Sequence, residues 1–125
     1  MNTMNDEANN FKRQPGGCVL PCDFHTHTGF SDDCDIPMEQ MLEGAIAHGI
    51  ETLAITDHYD PGYPDPEFPF QLDFDRYLPA LQQAQQQYRD RIEILAGMEI
   101  GILKGHFEEA RRAVNSYPFD VIIGS

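Results

Sequence analysis

Tryptophan is absent from this 125-residue chain, and cysteine and basic residues are scarce. Its 8 Lys and Arg stand against 21 Asp and Glu, which gives a formal net charge of -13. Because such a surface repels nucleic-acid backbones, we expect no nucleic-acid partner. The 3 cysteines form no CxxC pair and leave an odd count, which favours a reducing compartment over a disulfide scaffold.

Long apolar runs are also missing. No stretch approaches the ~18 residues of a membrane-spanning helix, and residues 1–13 lack the apolar centre of a signal peptide. The sequence therefore predicts a cytoplasmic protein with no membrane partner. Residues 1–17 are polar and end in Pro15-Gly16-Gly17, which predicts a disordered leader. The remaining residues, 18–125, contain enough apolar side chains for one domain with a packed core.

Apolar runs alternate with helical patterns along this domain. The predicted strands are residues 19–27, 52–56, 92–100 and 120–124. The predicted helices run from Pro37 to Gly49, from Asp73 or Asp75 to about Tyr88, and over residues 106–116. The second strand shows no polar alternation, which is typical of a parallel strand covered on both faces. The order of elements predicts an α/β protein with parallel strands and right-handed crossovers.

Two histidines stand at the end of the first predicted strand. Side chains alternate between the faces of a strand, so Asp23, His25 and His27 are expected on one side. The Cα atoms of the two histidines would lie roughly 6.5 Å apart, which allows both rings to bind one metal ion. A lone His-x-His also fits two solvated or buried histidines without a metal, and the later motifs decide between these interpretations.

Further ligand-type residues end the next strands. His58 follows the second strand and Glu99 lies near the end of the third, so a parallel sheet would bring both to the face that carries His25. Imidazole and carboxylate donors without a thiolate favour Zn, Mn or Fe in a catalytic site. Asp32 or Asp33 is close enough along the chain to add a carboxylate. A solvated loop pair is the alternative for these two.

Four short motifs, at residues 23–27, 31–33, 56–58 and 97–99, resemble the successive motifs of the polymerase and histidinol phosphatase (PHP) family. Residues 36–39, 93–101 and 119–125 look like the monofunctional histidinol-phosphate phosphatase branch of that family. The resemblance covers about residues 19–125. It implies the N-terminal half of a distorted (β/α)7 TIM-like barrel, with about four parallel strands and three helices in this chain.

The resemblance also implies a metal centre and a reaction. The centre would hold two or three divalent ions, and the metal would be Zn, Mn or Fe. His25, His27 and Glu99 would bind a pair of ions, and Asp32 and His58 would bind a third. Asp33 is the alternative to Asp32. The implied activity is hydrolysis of a small phosphate monoester, L-histidinol phosphate in histidine biosynthesis, with a hydroxide activated by the metals as the nucleophile. Another PHP-type phosphoesterase, a nuclease or a phosphoprotein phosphatase, is the alternative.

Two features concern the substrate and the extent of the chain. The Pro-rich and aromatic loop over residues 59–74 contains Tyr63, which we expect to contact substrate or to anchor the loop, and His106 is a second substrate candidate. The later ligands of the family have no counterpart here, and a full barrel typically needs about 250 residues. We therefore expect an N-terminal fragment that is inactive when isolated.

Overall fold

A computed structural model describes residues 21–125 of the chain, so the predicted leader at residues 1–17 lies outside the described part. The strands are β1 (Cys22–Asp23), β2 (Thr52–Ile55), β3 (His58–Tyr59), β4 (Glu93–Ile100) and β5 (Val121–Gly124). The helices are α1 (Met38–Ala47), α2 (Phe74–Gln87) and α3 (Phe107–Asn115). Each of these described helices is too short or too polar to cross a lipid bilayer.

All strand pairs are parallel, which confirms the predicted α/β class. Thr52 of β2 lies opposite Glu93 of β4. His58 of β3 lies opposite Glu99, so β3 takes up the same register along β4. β2 and β3 are therefore two pieces of one line of chain, interrupted at residues 56–57. This interruption explains why residues 21–125 contain five strands where four are predicted.

The first strand is shorter than predicted, because β1 ends at Asp23 and not at His27. The backbone N–H of His25 donates to Oδ1 of Asp23 over 3.0 Å, and this local bond turns the chain out of the strand. The chain returns to the sheet at Thr26. Its carbonyl accepts from the backbone N–H of Thr56 at 2.8 Å, and its own N–H donates to the Thr56 hydroxyl at 3.1 Å.

Each of the first two helices buries one apolar face. Met38 and Leu42 of α1 are buried, and Gly49 ends this helix with a φ of 81°. Further apolar residues of α1 pack against the core, namely Met41, Ala45 and Ile46. One face of α2 and the residue after this helix are buried, namely Tyr77, Leu81, Ala84 and Tyr88. These helices cover the sheet and leave the carboxyl ends of its strands for the site.

Tyr77 fills the interruption between β2 and β3. Its side chain is fully buried, and its hydroxyl lies 3.1 Å from the carbonyl oxygen of Ile55 and 2.8 Å from that of Gly97. The same hydroxyl accepts from the backbone N–H of Asp57 at 3.3 Å. Burial raises the pKa of the Tyr77 phenol well above its ordinary value, so the group stays protonated and able to donate. The single hydroxyl proton can be donated to one of these carbonyls at a time, the nearer being that of Gly97, while the oxygen accepts from Asp57, so the hydroxyl bonds backbone on both sides of the interruption.

Gly97 of β4 has no room for a side chain. A methyl group on its Cα would lie 2.6 Å from Cγ2 of Thr56 and 2.8 Å from the carbonyl oxygen of Ile55. The substitution Gly97→Ala is therefore expected to push the strands apart and to lower the free energy of unfolding by about 1–3 kcal/mol. Urea unfolding followed by circular dichroism measures the change.

Gly44→Ala is the matched control for this prediction. Gly44 lies inside α1, and outside the neighbouring backbone of that helix no atom of residues 21–125 lies within 4 Å of a methyl group placed on it. Because alanine is the better helix former by about 0.5–1 kcal/mol, this variant is expected to be more stable than the wild type. Equal stability of Gly97→Ala and the wild type would contradict the close packing of β2 and β4.

Candidate metal centre

The candidate site lies where the parallel strands end. His58 opens β3 and Glu99 is its direct partner in β4, so backbone pairing alone brings these two residues together. His25 and His27 arrive from the segment after β1, which Thr26 holds against Thr56. The expected meeting of strand ends on one face is therefore present, although the two histidines lie outside a regular strand.

One group of possible ligands consists of His25, His27 and Glu99. Each residue offers one nitrogen or oxygen atom, and these atoms all lie within 4.8 Å of one another. Nε2 of His25 is 2.5 Å and Nε2 of His27 is 3.4 Å from Oε1 of Glu99. The two imidazole rings meet edge to face with centroids 5.2 Å apart. This separation fits two nitrogens that share one ion.

A second group consists of His27, Asp33 and His58, again with one atom from each residue within 4.8 Å of the others. Nε2 of His58 lies 3.5 Å from Oδ2 of Asp33 and 3.4 Å from Oε2 of Glu99. The rings of His27 and His58 stack with centroids 4.7 Å apart. The two groups are thus adjacent, and the carboxylate of Glu99 faces both.

The structure separates the two neighbouring aspartates. Asp33 directs Oδ2 towards His58, while its Oδ1 accepts from the Ser31 hydroxyl at 2.6 Å. Asp32 turns to the other loop, where its Oδ2 accepts from the backbone N–H of Phe70 at 2.6 Å. The geometry therefore places Asp33, which the sequence leaves as the alternative, beside the histidines. Metal binding by Asp32 stays a prediction.

Burial sets the charge of the central imidazole. Burial lowers the pKa of His27 below its ordinary value, so the ring is neutral at pH 7 and has a free lone pair. Its Nδ1 atom is buried and finds no hydrogen-bond partner among the described residues. A buried polar atom without a partner is costly, and a cation bound by this ring would remove that cost. The donor set therefore fits a divalent metal.

Asp57 lies directly behind His27. Its carboxylate is fully buried and accepts from the backbone N–H of Thr28 at 2.6 Å and from the Thr28 hydroxyl at 2.7 Å. Burial raises the pKa of Asp57 to about 6. Its Oδ1 is 4.0 Å from Nδ1 of His27, which is longer than a hydrogen bond. Asp23, which was expected on the same side as the two histidines, accepts from the backbone N–H of His25.

Asp60 is a residue that the sequence interpretation missed. Its Oδ1 lies 3.2 Å from Nδ1 of His58, in the position of a carboxylate that orients a metal-binding imidazole. Residues two apart along a strand lie on the same side, so the spacing of His58 and Asp60 was the available signal. Gly101 makes room for this carboxylate, because a methyl group on Gly101 would lie 2.6 Å from Cγ of Asp60.

The two substrate candidates lie on the loop side of the site. The Tyr63 ring packs against Phe70 with centroids 5.1 Å apart, and Phe70 packs against His58 at 4.7 Å. Tyr63 therefore contacts the candidate metal ligands through Phe70 rather than directly. The His106 ring covers Gly62, and its Nδ1 is 3.1 Å from a carboxylate oxygen of Glu109. No contact between His106 and the histidine groups is present in the described part of the chain.

This chain is similar in sequence to known proteins. The PHP domain model matches residues 23–125. A histidinol-phosphatase of Lactococcus lactis subsp. lactis is 35% identical over 104 residues, which are 82% of this chain and 38% of that protein. A probable histidinol-phosphatase of Schizosaccharomyces pombe is 28% identical over 118 residues, 85% of this chain and 38% of that protein.

The crystal structure of a histidinol phosphate phosphatase from Lactococcus lactis subsp. lactis, in complex with zinc, L-histidinol and phosphate, superimposes with a TM-score of 0.77 at 33% identity. The match covers 82% of this chain and 38% of that one. The chain thus spans about two fifths of the length of the relatives it matches. This likeness confirms the predicted fold class, a parallel sheet of the TIM-like barrel type with helices between its strands.

Fold and site together define an α/β protein with a candidate metal centre at the carboxyl ends of parallel strands. More particularly, the chain belongs to the PHP domain family, whose model covers nearly all of the described residues.

Proposed function

We propose that the protein, in its full length, hydrolyses a phosphate monoester with the help of divalent metal ions, and that L-histidinol phosphate is the substrate. The observation that carries this proposal is the position of the Glu99 carboxylate. Its Oε1 faces His25 and His27, and its Oε2 faces His58. One carboxylate shared by two sets of imidazoles is typical of sites that hold two metal ions for displacement at phosphorus.

The ions would be held by His25, His27 and Glu99 in one position and by Asp33, His58 and the second oxygen of Glu99 in the other. When bound, they supply positive charge that polarises the phosphoryl oxygens and activates water. The protein has a strong need for that charge, because its formal net charge is -13 and phosphate is an anion. Zinc is our first choice, because the similar solved structure contains it, and Mn or Fe suits the same donors.

The protein's own side chains prepare the site before a metal binds. The neutral His27 ring presents its lone pair without first losing a proton. Asp60 holds the Nδ1 side of His58, so that Nε2 points to Asp33 and Glu99. The mostly buried Glu99 keeps its carboxylate between the imidazoles. Ligands fixed in this way lose little conformational freedom when an ion binds.

L-histidinol phosphate is favoured by the named relatives, by the bound molecules of the similar structure and by the aromatic side chains near His58. We propose that Tyr63, whose side chain is 42% exposed, packs against the imidazole ring of the substrate. We also propose His106 as a second substrate contact on the same side, because its ring covers Gly62, the residue before Tyr63. The free thiols of Cys22 and Cys34 agree with the cytoplasm, which we propose as the compartment.

Phosphate release is the direct test of this proposal. Purified full-length protein, loaded in turn with Zn²⁺, Mn²⁺ or Fe²⁺, is offered L-histidinol phosphate, a phosphoserine peptide or a short oligonucleotide. We expect a clear preference for L-histidinol phosphate, with kcat/KM of about 10⁴ M⁻¹s⁻¹ or more. Faster cleavage of the oligonucleotide or the peptide would refute the substrate. Metal binding without phosphate release from any of the three would refute the activity.

A further inference from the structure

Phe70 has an unusual backbone conformation beside the site. Its φ is 48°, in the left-handed region that bulky side chains seldom adopt. Among the described residues, Phe70 is the only one other than glycine that has a positive φ. A strained residue of this kind persists only where its surroundings hold it, and such residues cluster at functional sites.

Two hydrogen bonds hold the Phe70 backbone from opposite sides. Its N–H donates to Oδ2 of Asp32 over 2.6 Å, across 38 residues of sequence. Its carbonyl accepts from the N–H of Asp60 over 2.9 Å. The bond to Asp32 has a charged acceptor, which makes it stronger than a bond between neutral groups. Asp32 thus ties the loop after β3 to the loop after β1.

The fixed Phe70 backbone also determines the surroundings of His58. With its backbone fixed, Phe70 places its ring 4.7 Å from the His58 imidazole, tilted by 46°. Asp60, which bonds the Phe70 carbonyl, also holds Nδ1 of His58 at 3.2 Å. The imidazole is therefore bounded by an aromatic face and by a carboxylate. Its remaining nitrogen, Nε2, is the one that faces Asp33 and Glu99.

We propose that Asp32 is a positioning residue that latches Phe70, and that this latch fixes the His58 imidazole for the second metal position. Asp32 then acts through hydrogen bonding to backbone and not as a metal ligand, while its neighbour Asp33 provides the carboxylate beside the ion. The effect on metal binding rests on the proposed metal centre. The latch itself does not, because all of its contacts are made by the protein alone.

Two substitutions at Asp32 separate the latch from a ligand role. An asparagine keeps an oxygen that accepts from the Phe70 N–H, but it removes the negative charge that makes a carboxylate a strong ligand for Zn²⁺. An alanine removes both. A latch is therefore rescued by Asp32→Asn, whereas a metal ligand is not. Asp35→Ala, which removes an exposed carboxylate from the same loop, is the matched control.

The first measurement is hydrogen exchange at the Phe70 amide in metal-free, full-length protein. We expect Asp32→Ala to speed this exchange by at least about tenfold, since the amide loses its acceptor, and Asp32→Asn, which keeps a neutral acceptor, to lie closer to the wild type. The second measurement is Zn²⁺ affinity by competition with a chelator. We expect about tenfold weaker binding of one ion in Asp32→Ala, near the lower end of effects for residues that orient ligands, and little change in Asp32→Asn.

The outcomes are distinct. Equal loss of zinc affinity in Asp32→Asn and Asp32→Ala, with unchanged amide exchange in both, would make Asp32 a ligand and overturn the latch. Wild-type exchange at Phe70 in Asp32→Ala would overturn it as well. Wild-type protein that binds no metal would refute the proposed function, while the exchange measurement would still decide on the latch.

Discussion

Glu99→Gln is expected to abolish binding of at least one metal ion and to reduce phosphate release about a thousandfold, which is ~4 kcal/mol of transition-state stabilisation. The reason is that both carboxylate oxygens are in use. Oε1 faces His25 and His27, and Oε2 faces His58. A glutamine keeps the size of the side chain but replaces one oxygen with a nitrogen that donates, and it removes the charge.

Metal content by mass spectrometry and phosphate release from L-histidinol phosphate measure these two effects. Glu93→Gln is the matched control, because Glu93 is an exposed glutamate of the same strand whose carboxylate accepts from the Thr52 hydroxyl at 3.1 Å. It is expected to keep its metal and its activity. A Glu99→Gln protein with full metal content and near wild-type turnover would show that the carboxylate does not bridge the two groups.

Tyr77→Ala is expected to lower the free energy of unfolding by about 3–5 kcal/mol, a large share of the 5–15 kcal/mol of a typical domain. The change removes a fully buried aromatic ring and leaves a cavity between α2 and the sheet. It also removes the hydroxyl that donates towards the carbonyl of Gly97, with that of Ile55 as the more distant acceptor, and that accepts from the N–H of Asp57. Urea unfolding in the presence of a chelator measures the loss without a contribution from metal.

Tyr77→Phe divides this effect into its two causes. The phenylalanine keeps the ring but removes the hydroxyl, so buried backbone groups lose their partner and the cost is expected to be about 1–3 kcal/mol. The free energy of unfolding of Tyr77→Phe is therefore expected to lie between that of the wild type and that of Tyr77→Ala. If Tyr77→Phe is as stable as the wild type, the hydroxyl does not support the junction of β2 and β3.

The sequence predicts most of the site because parallel topology dictates where strand ends meet. His58 and Glu99 each lie near the end of an apolar run, and pairing in register places them side by side. The helices can be predicted from the sequence as well, since their buried faces follow from the spacing of apolar residues. What the sequence predicts well is therefore set by repeating backbone geometry.

The parts that the sequence leaves open are set by single hydrogen bonds in loops. Asp32 and Asp33 are adjacent and chemically identical, and only the bond from the Phe70 amide shows which one turns away from the histidines. The end of β1 depends on one bond from the His25 amide to Asp23. In the sequence, Tyr77 looks like an ordinary core residue. The role of its hydroxyl is hidden, because the backbone groups that it bonds belong to two distant strands. Such contacts have no period that a pattern can reveal.

In the proposed metal centre, two adjacent groups of side chains share divalent ions through Glu99. Crystals of the protein grown with Zn²⁺, with anomalous diffraction measured on both sides of the zinc absorption edge, test it directly. We predict two strong peaks, one among His25, His27 and Glu99 and one beside Asp33 and His58. Zinc peaks that lie elsewhere, with none among these side chains, would contradict the account.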